Sequence, residues 1–132
     1  MRTPVALAAA ALVALAVAAP AQAEPARREP APPRGLFLTV SGDENTWIRG
    51  VLLECPAGSP SHHPEAGAAC EALDGAGGDL TRLAGHTHPC TREFAPVTVA
   101  AAGTWHGRPV DWHRTYPNAC MLYEATGPVF RF

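Results

Sequence analysis

A short stretch of the chain places a cysteine and an arginine between two prolines: it reads Pro89-Cys90-Thr91-Arg92-Glu93-Phe94-Ala95-Pro96. Proline fixes φ, lacks an N–H and biases the residue before it toward extended conformations. The stretch is therefore predicted to be a stiff, exposed, extended loop. Cys90 lies two residues before Arg92 and can tie the loop to the body of the protein. An arginine held out in this way is suited to a deep acidic pocket of a partner, although most exposed arginines are simply solvated.

The first residues have the features of an export signal. A basic Met1-Arg2 start precedes an apolar run over residues 5–19, and the small residues Ala21-Gln22-Ala23 follow. This order predicts a secretory signal peptide over residues 1–23. The apolar run is shorter than the roughly 20 residues that a membrane-spanning helix needs.

The mature chain is predicted to be one secreted, extracellular domain without membrane attachment. Residues 24–34 are rich in proline and charge and predict a disordered lead-in, which leaves residues 35–132 as the folded domain. The formal net charge of the whole chain is −2, and no basic stripe indicates a nucleic-acid partner.

The cysteine count indicates covalent crosslinks. Four cysteines in an exported domain of this size predict two disulfides. Four thiols allow three pairings, and their spacing cannot choose among them. Pairing in sequence order, Cys55 with Cys70 and Cys90 with Cys120, is the simplest of the three.

The elements that would position the loop begin with a hairpin and a helix. Residues 36–40 and 47–55 are apolar and β-prone and flank a turn signal, so an antiparallel pair of strands is predicted. Ala66, Ala69, Cys70 and Leu73 follow helical spacing, with Gly75 as the stop. Residues 79–84 favour one further helical turn.

After the loop, the pattern returns to strands. Residues 97–101 and 110–116 predict two strands around a turn-like segment at 103–107, and the apolar residues 128–132 predict a last one. The fold class is therefore predicted to be α+β, with an antiparallel five-stranded sheet and one or two short helices. The tryptophans are interpreted as core or interface packing; they are Trp47, Trp105 and Trp112.

Eight landmarks in order along the domain resemble a known family. They are Leu38-Thr39-Val40, Cys55-Pro56-Ala57-Gly58, the segment from His63 to Cys70, Gly77-Gly78-Asp79-Leu80, Cys90 with its loop, the segment from Gly103 to Gly107, Asn118-Ala119-Cys120, and Val129-Phe130-Arg131-Phe132. This layout is similar to that of the Streptomyces-type subtilisin inhibitors, a family of secreted serine-protease inhibitors. The resemblance implies a two-disulfide domain, with bridges Cys55–Cys70 and Cys90–Cys120, that dimerises through its sheet.

The resemblance also implies which residues meet the protease. The reactive bond maps onto Arg92–Glu93, and Asn118 matches a position whose side chain supports the loop from behind. The flanking loop residues expected to contact the enzyme are Cys90, Thr91, Phe94 and Ala95. Pro89 and Pro96 are expected to stiffen the loop.

The chain departs from the family pattern at the loop. Thr91 stands where the family often has proline, and Arg92-Glu93 replaces the methionine and small apolar residue of its best-known member. Because a trypsin-like specificity pocket has an aspartate at its base, Arg92 predicts trypsin-like targets first and subtilisin-like targets second.

Other functions are less well supported by the sequence. No G-x-S-x-G, H-E-x-x-H or P-loop motif is present, so an enzyme is not predicted. His86, His88 and Cys90, or the His62-His63 pair, could supply zinc ligands, but no closed four-ligand set is evident and Cys90 is expected to be oxidised. No metal or other cofactor is predicted. A non-inhibitory secreted binding module on the same scaffold is the alternative function.

Overall fold

The computed structural model describes residues 21–23, 25, 34–56 and 61–132. The predicted signal peptide and lead-in lie almost wholly outside these residues and stay predictions. The elements run β1 (Gly35–Ser41), β2 (Ile48–Leu53), α1 (Ala66–Gly75), β3 (Val97–Trp105), β4 (Arg108–Tyr116) and α2 (Ala119–Thr126). Two 3-10 turns, Asp43–Asn45 and Leu80–Arg82, complete the order. No helix in the described ranges is long and apolar enough to cross a membrane.

The strands form one antiparallel sheet in the order β2-β1-β3-β4. The predicted β1–β2 hairpin is confirmed, with Leu38 opposite Val51. The β3–β4 hairpin is longer than predicted, because both strands continue until Trp105 pairs with Arg108. Only His106 and Gly107 connect them, and both have positive φ, which matches the strand twist in the two-residue hairpin turns.

The prediction of a fifth strand is wrong: within the described residues the sheet has four strands. Residues 128–132 are buried or half-buried, but their backbone makes turn-like bonds, from Val129 N–H to Thr126 O and from Arg131 N–H to Pro128 O. The Val129 carbonyl bonds instead with the buried His63 ring, 2.9 Å from its Nε2. An apolar run therefore marks burial at this point, but not a strand.

The core lies between one face of the sheet and the two helices. Leu36, Leu38 and Val99 are fully buried on the inner face of the sheet. They pack in one cluster with helix side chains and the C-terminal segment, including Ala69, Leu73, Leu122, Val129 and Phe130. The predicted helical face of α1 is thus confirmed, and its Cys70 is bonded to Cys55 just beyond the end of β2.

Asp79 makes one turn of the fold sensitive to acid. Its Oδ1 accepts hydrogen bonds from the hydroxyl and the backbone N–H of Thr81, at 2.6 and 2.9 Å, and these bonds lower its pKa below the ordinary 3.8. A pKa that is lower in the folded chain means that the carboxylate stabilises the fold at neutral pH and loses this contribution as pH falls through the folded pKa. We expect Asp79→Asn, which keeps an acceptor oxygen, to lose less stability than the wild type between pH 5 and pH 2. Urea unfolding across this range measures the effect, and parallel curves for the two proteins would contradict it.

Candidate functional site

The loop of residues 88–96 is the last part of the segment that connects the second 3-10 turn to β3, and it belongs to no helix or strand. Residues 91–95 are all exposed, and the Phe94 side chain retains 80% of its accessible surface. Pro89 is exposed and Pro96, next to the start of β3, is half-buried. The loop therefore stands out from the body of the protein, as its prolines predict.

A disulfide fastens the loop at its N-terminal side. Cys90 is bonded to Cys120 in the first turn of α2, and their Cα atoms are 5.7 Å apart. With Cys55 bonded to Cys70, both pairs implied by the family resemblance are present and the other two pairings are excluded. The disulfide thus anchors the chain two residues before Arg92.

One buried amide supports the backbone on both sides of Arg92. Asn118 is only 4% exposed, and its Nδ2 donates to the carbonyl oxygens of Thr91 at 3.3 Å and Glu93 at 2.8 Å. The Ala95 N–H adds a bond to the Pro117 carbonyl, 2.9 Å away. The Thr91–Arg92 and Glu93–Phe94 peptide units, on either side of the Arg92–Glu93 bond, are therefore held in place, although residues 91–95 are exposed.

Asn118 occupies this place because it also begins a helix. Its Oδ1 accepts from the Met121 N–H at 2.9 Å, which is the N-cap interaction of α2. The helix ends at Thr126 and is followed by Gly127, which has positive φ. No helix is predicted from the sequence at this point, because Pro117 interrupts the strand pattern of residues 110–116. An asparagine N-cap and a glycine beyond the end of the helix were the signals that could have found it.

The Arg92 side chain makes no hydrogen bond or ion pair with any described residue, and its position is exposed. It lies with Phe94 along a groove of about 470 Å³ whose far wall is the exposed face of α2, including Met121 and Glu124. Met121 is 39% exposed. The guanidinium is thus free to meet a partner, and apolar surface lies next to it.

A second groove, here called the Trp47 groove, lies between the loop and the β1–β2 turn. It has a volume of about 410 Å³, and the loop side chains that line it include Thr91 and Glu93. Asp43 and Trp47 line it from the turn, and Trp47 is 40% exposed. The interpretation of Trp47 as core or interface packing did not place it beside the loop, and no local sequence signal indicates this position.

His88, one of the histidines considered as a possible zinc ligand, lies beside the loop disulfide. His88 Nδ1 is 3.5 Å from the Cys90 sulfur and 3.6 Å from the Cys120 sulfur. Both sulfurs are bonded to each other and therefore cannot act as thiolate ligands. His88 is therefore placed to pack against the Cys90–Cys120 disulfide rather than to coordinate a metal ion with these two cysteines.

Comparisons with known proteins converge on one family. Residues 32–118 match the family model described as subtilisin inhibitor-like. The chain is 39% identical over 105 residues to subtilisin inhibitor-like protein 7 of Streptomyces ambofaciens, covering 76% of this chain and 96% of that protein. It is 39% identical, over 76% of this chain and 73% of the relative, to a subtilase-type protease inhibitor of Streptomyces coelicolor. These relatives are named as inhibitors or as inhibitor-like proteins, not as enzymes.

The fold comparison agrees. The chain resembles sermetstatin of Streptomyces caespitosus, solved in complex with Bacillus licheniformis subtilisin, with a TM-score of 0.57 and 33% identity. The match covers 74% of this chain and 96% of sermetstatin.

Proposed function

This chain belongs to the subtilisin inhibitor-like family, and we propose that it inhibits serine proteases by presenting the Arg92–Glu93 bond as a substrate would. The observation that carries the proposal is the double hydrogen bond from Asn118 to the carbonyls of Thr91 and Glu93. These bonds hold the backbone on both sides of an exposed arginine. A segment ordered before binding loses less conformational entropy in a complex, which favours tight association.

Arg92 is proposed to fill the specificity pocket of a trypsin-like enzyme. Such a pocket has an aspartate at its base, and a guanidinium is permanently charged and can pair with a carboxylate through two hydrogen bonds. Because Arg92 has no competing partner among the described residues, it need not break an internal contact to enter the pocket. Trypsin-like proteases are therefore the preferred targets of this proposal.

Subtilisin-like proteases are proposed as the second class of target. Relatives of this chain are named as subtilisin or subtilase-type inhibitors. A loop that binds largely through its extended backbone can be accepted by a protease whose pocket tolerates several side chains. The trypsin preference rests on Arg92 alone, whereas the subtilisin activity would rest on the scaffold.

The disulfide and the Asn118 hydrogen bonds should also make the protein a slowly hydrolysed substrate of the protease. If the protease cleaves after Arg92, Cys90 keeps one new end attached through its disulfide. Asn118 still bonds to the Glu93 carbonyl on the other side. The two ends then stay close together, so that resynthesis of the bond competes with release.

The test is a titration of trypsin and of subtilisin with the purified mature protein. We expect stoichiometric inhibition of trypsin and weaker inhibition of subtilisin. After prolonged incubation, N-terminal sequencing should find a new terminus at Glu93 in material that is still disulfide-linked. No inhibition of either enzyme at micromolar concentration would contradict the proposal and favour a non-inhibitory binding module.

Export of the protein is part of the proposal. The apolar run of residues 5–19 and the Ala21-Gln22-Ala23 sequence support cleavage of a signal peptide near residue 23. Both disulfides suit an oxidising compartment outside the cytoplasm.

We also propose that the protein is a homodimer that packs through the outer face of its sheet. On β1, Phe37 points away from the core and is 49% exposed. Its cross-strand neighbours on this face are Leu52 and Ala102, and its ring lies across Gly50, so the surface around Phe37 is apolar. Such a face can stack on a second copy of itself.

Phe37→Asp is expected to convert the dimer to a monomer, because two carboxylates would be buried without partners at a symmetric contact. Sedimentation equilibrium measures the change, and Phe37→Leu is the matched control that should remain dimeric. A wild-type protein that sediments as a monomer at high micromolar concentration would refute the dimer without affecting the inhibitory loop.

A further inference from the structure

The Trp47 groove has a rigid wall that is built before any partner binds. The Gly42 N–H donates to the Trp47 carbonyl at 3.0 Å, and the Asn45 N–H donates to the Gly42 carbonyl at 3.1 Å. The indole lies so close to Gly42 that a Cβ there would clash with it, and the Arg49 guanidinium lies 4.9 Å from the ring centroid. The turn also holds Glu44 at a φ of 50°, which is unusual for a residue with a side chain.

This turn costs conformational energy that an ordinary surface turn does not. Left-handed backbone at a residue other than glycine persists only where the surroundings enforce it, and such residues are frequent at functional sites. The result of the strained turn is a large aromatic side chain held in one position with 40% of its surface exposed. A fixed, exposed aromatic side chain loses little entropy when a partner covers it.

The charge of the groove indicates what it would accept. Asp43 and Glu93 line it from opposite sides, and neither forms an ion pair with another residue in the described part of the chain. A lysine or arginine has an aliphatic stem that can pack on an indole and a charged head that can pair with a carboxylate. The groove is therefore complementary to a basic side chain.

The location of the groove indicates which partner brings that side chain. Thr91 and Glu93 are the immediate neighbours of Arg92, and both line the Trp47 groove. An enzyme that encloses Arg92 must also cover the edge of the groove formed by these two residues. We propose that the Trp47 groove is a second docking surface for the inhibited protease, which places a basic side chain from the rim of its active site against Trp47 and Asp43. This inference rests on the proposed inhibitory function.

The test compares inhibition constants for trypsin among variants of the full mature protein. Trp47→Ala should weaken inhibition roughly tenfold or more, the loss typical of an aromatic contact that becomes buried in an interface. Trp47→Phe, which keeps an aromatic ring over Gly42, should retain most of the inhibition. Asp43→Asn should weaken inhibition several-fold and make it less dependent on salt. Thermal melts establish that each variant folds.

Ile48→Ala is the matched control. Ile48 follows Trp47 directly and is 63% exposed, but it does not line the groove, so its truncation should leave the inhibition constant unchanged. The docking surface would be overturned if Trp47→Ala and Trp47→Phe both inhibited trypsin within twofold of the wild type while Arg92→Ala did not inhibit. The proposed inhibitory function would still stand in that case. An Asp43→Asn variant with unchanged inhibition and salt dependence would overturn the assignment of a basic side chain. A wild-type protein that fails to inhibit would overturn both.

Discussion

Arg92→Ala is expected to raise the inhibition constant for trypsin by at least about 30-fold, which corresponds to a loss of about 2 kcal/mol or more. The substitution removes the one group that can pair with the aspartate in a trypsin-like pocket. No described residue bonds with the Arg92 side chain, so the loop and the fold should be unaffected. Progress curves with a chromogenic substrate measure the constant, and thermal melts of the variant and the wild type should coincide.

Two further substitutions separate charge from shape at this position. Arg92→Lys keeps the positive charge but not the planar pair of donors, so it should inhibit trypsin with intermediate strength. Arg92→Met should lose trypsin inhibition and retain inhibition of subtilisin, since it places an apolar side chain on the same backbone. If Arg92→Ala inhibited trypsin as strongly as the wild type, the reactive bond would have to lie elsewhere.

The second large effect is expected at Asn118. Asn118→Asp keeps the oxygen that accepts from the Met121 N–H but replaces the NH2 group that donates to the Thr91 and Glu93 carbonyls. Two hydrogen bonds are lost and an oxygen faces two carbonyl oxygens instead. At about 0.5–1.5 kcal/mol for each of the two bonds, inhibition should weaken roughly 5- to 150-fold. The Arg92–Glu93 bond should also be cleaved faster, because the new ends are no longer held together.

Asn118→Ala provides the comparison, because it removes the helix cap as well as the loop support. Loss of the cap should lower its unfolding free energy by about 1 kcal/mol relative to the wild type, in addition to the effect of the lost loop bonds. Mass spectrometry of samples taken during incubation with trypsin follows cleavage, and urea unfolding follows stability. An Asn118→Asp protein that inhibits tightly and resists cleavage would show that the amide does not support the loop.

Some of this architecture could be predicted from local patterns. The helical spacing of Ala69, Cys70 and Leu73 predicts α1, since one apolar face facing the core is enough to specify it. The prolines of the loop predict a segment outside the helices and strands, because their effect on φ is local. The four observed strands follow from β-prone runs, although β1, β3 and β4 extend beyond their predicted bounds and β2 is shorter than predicted.

The remaining features depend on contacts between distant parts of the chain. A buried apolar segment can be a strand or an irregular turn, and the bond between His63 and the Val129 carbonyl favours the turn. Nothing in the local sequence indicates the contact of Asn118 with the loop. Only the resemblance to the family implies it. The Trp47 groove forms only because the β1–β2 turn lies next to the loop in the folded chain, and tertiary packing determines this position.

The supports of the loop have a consequence for how its specificity can change. Asn118 bonds to carbonyl oxygens, which all twenty amino acids possess, and the disulfide is attached at Cys90, outside the reactive bond itself. Exchanging the side chain at position 92 therefore leaves these supports untouched. The scaffold fixes the loop backbone independently of the side chain at position 92. A single codon change at this position could therefore redirect the protein to a protease of another specificity without lowering the stability of the fold.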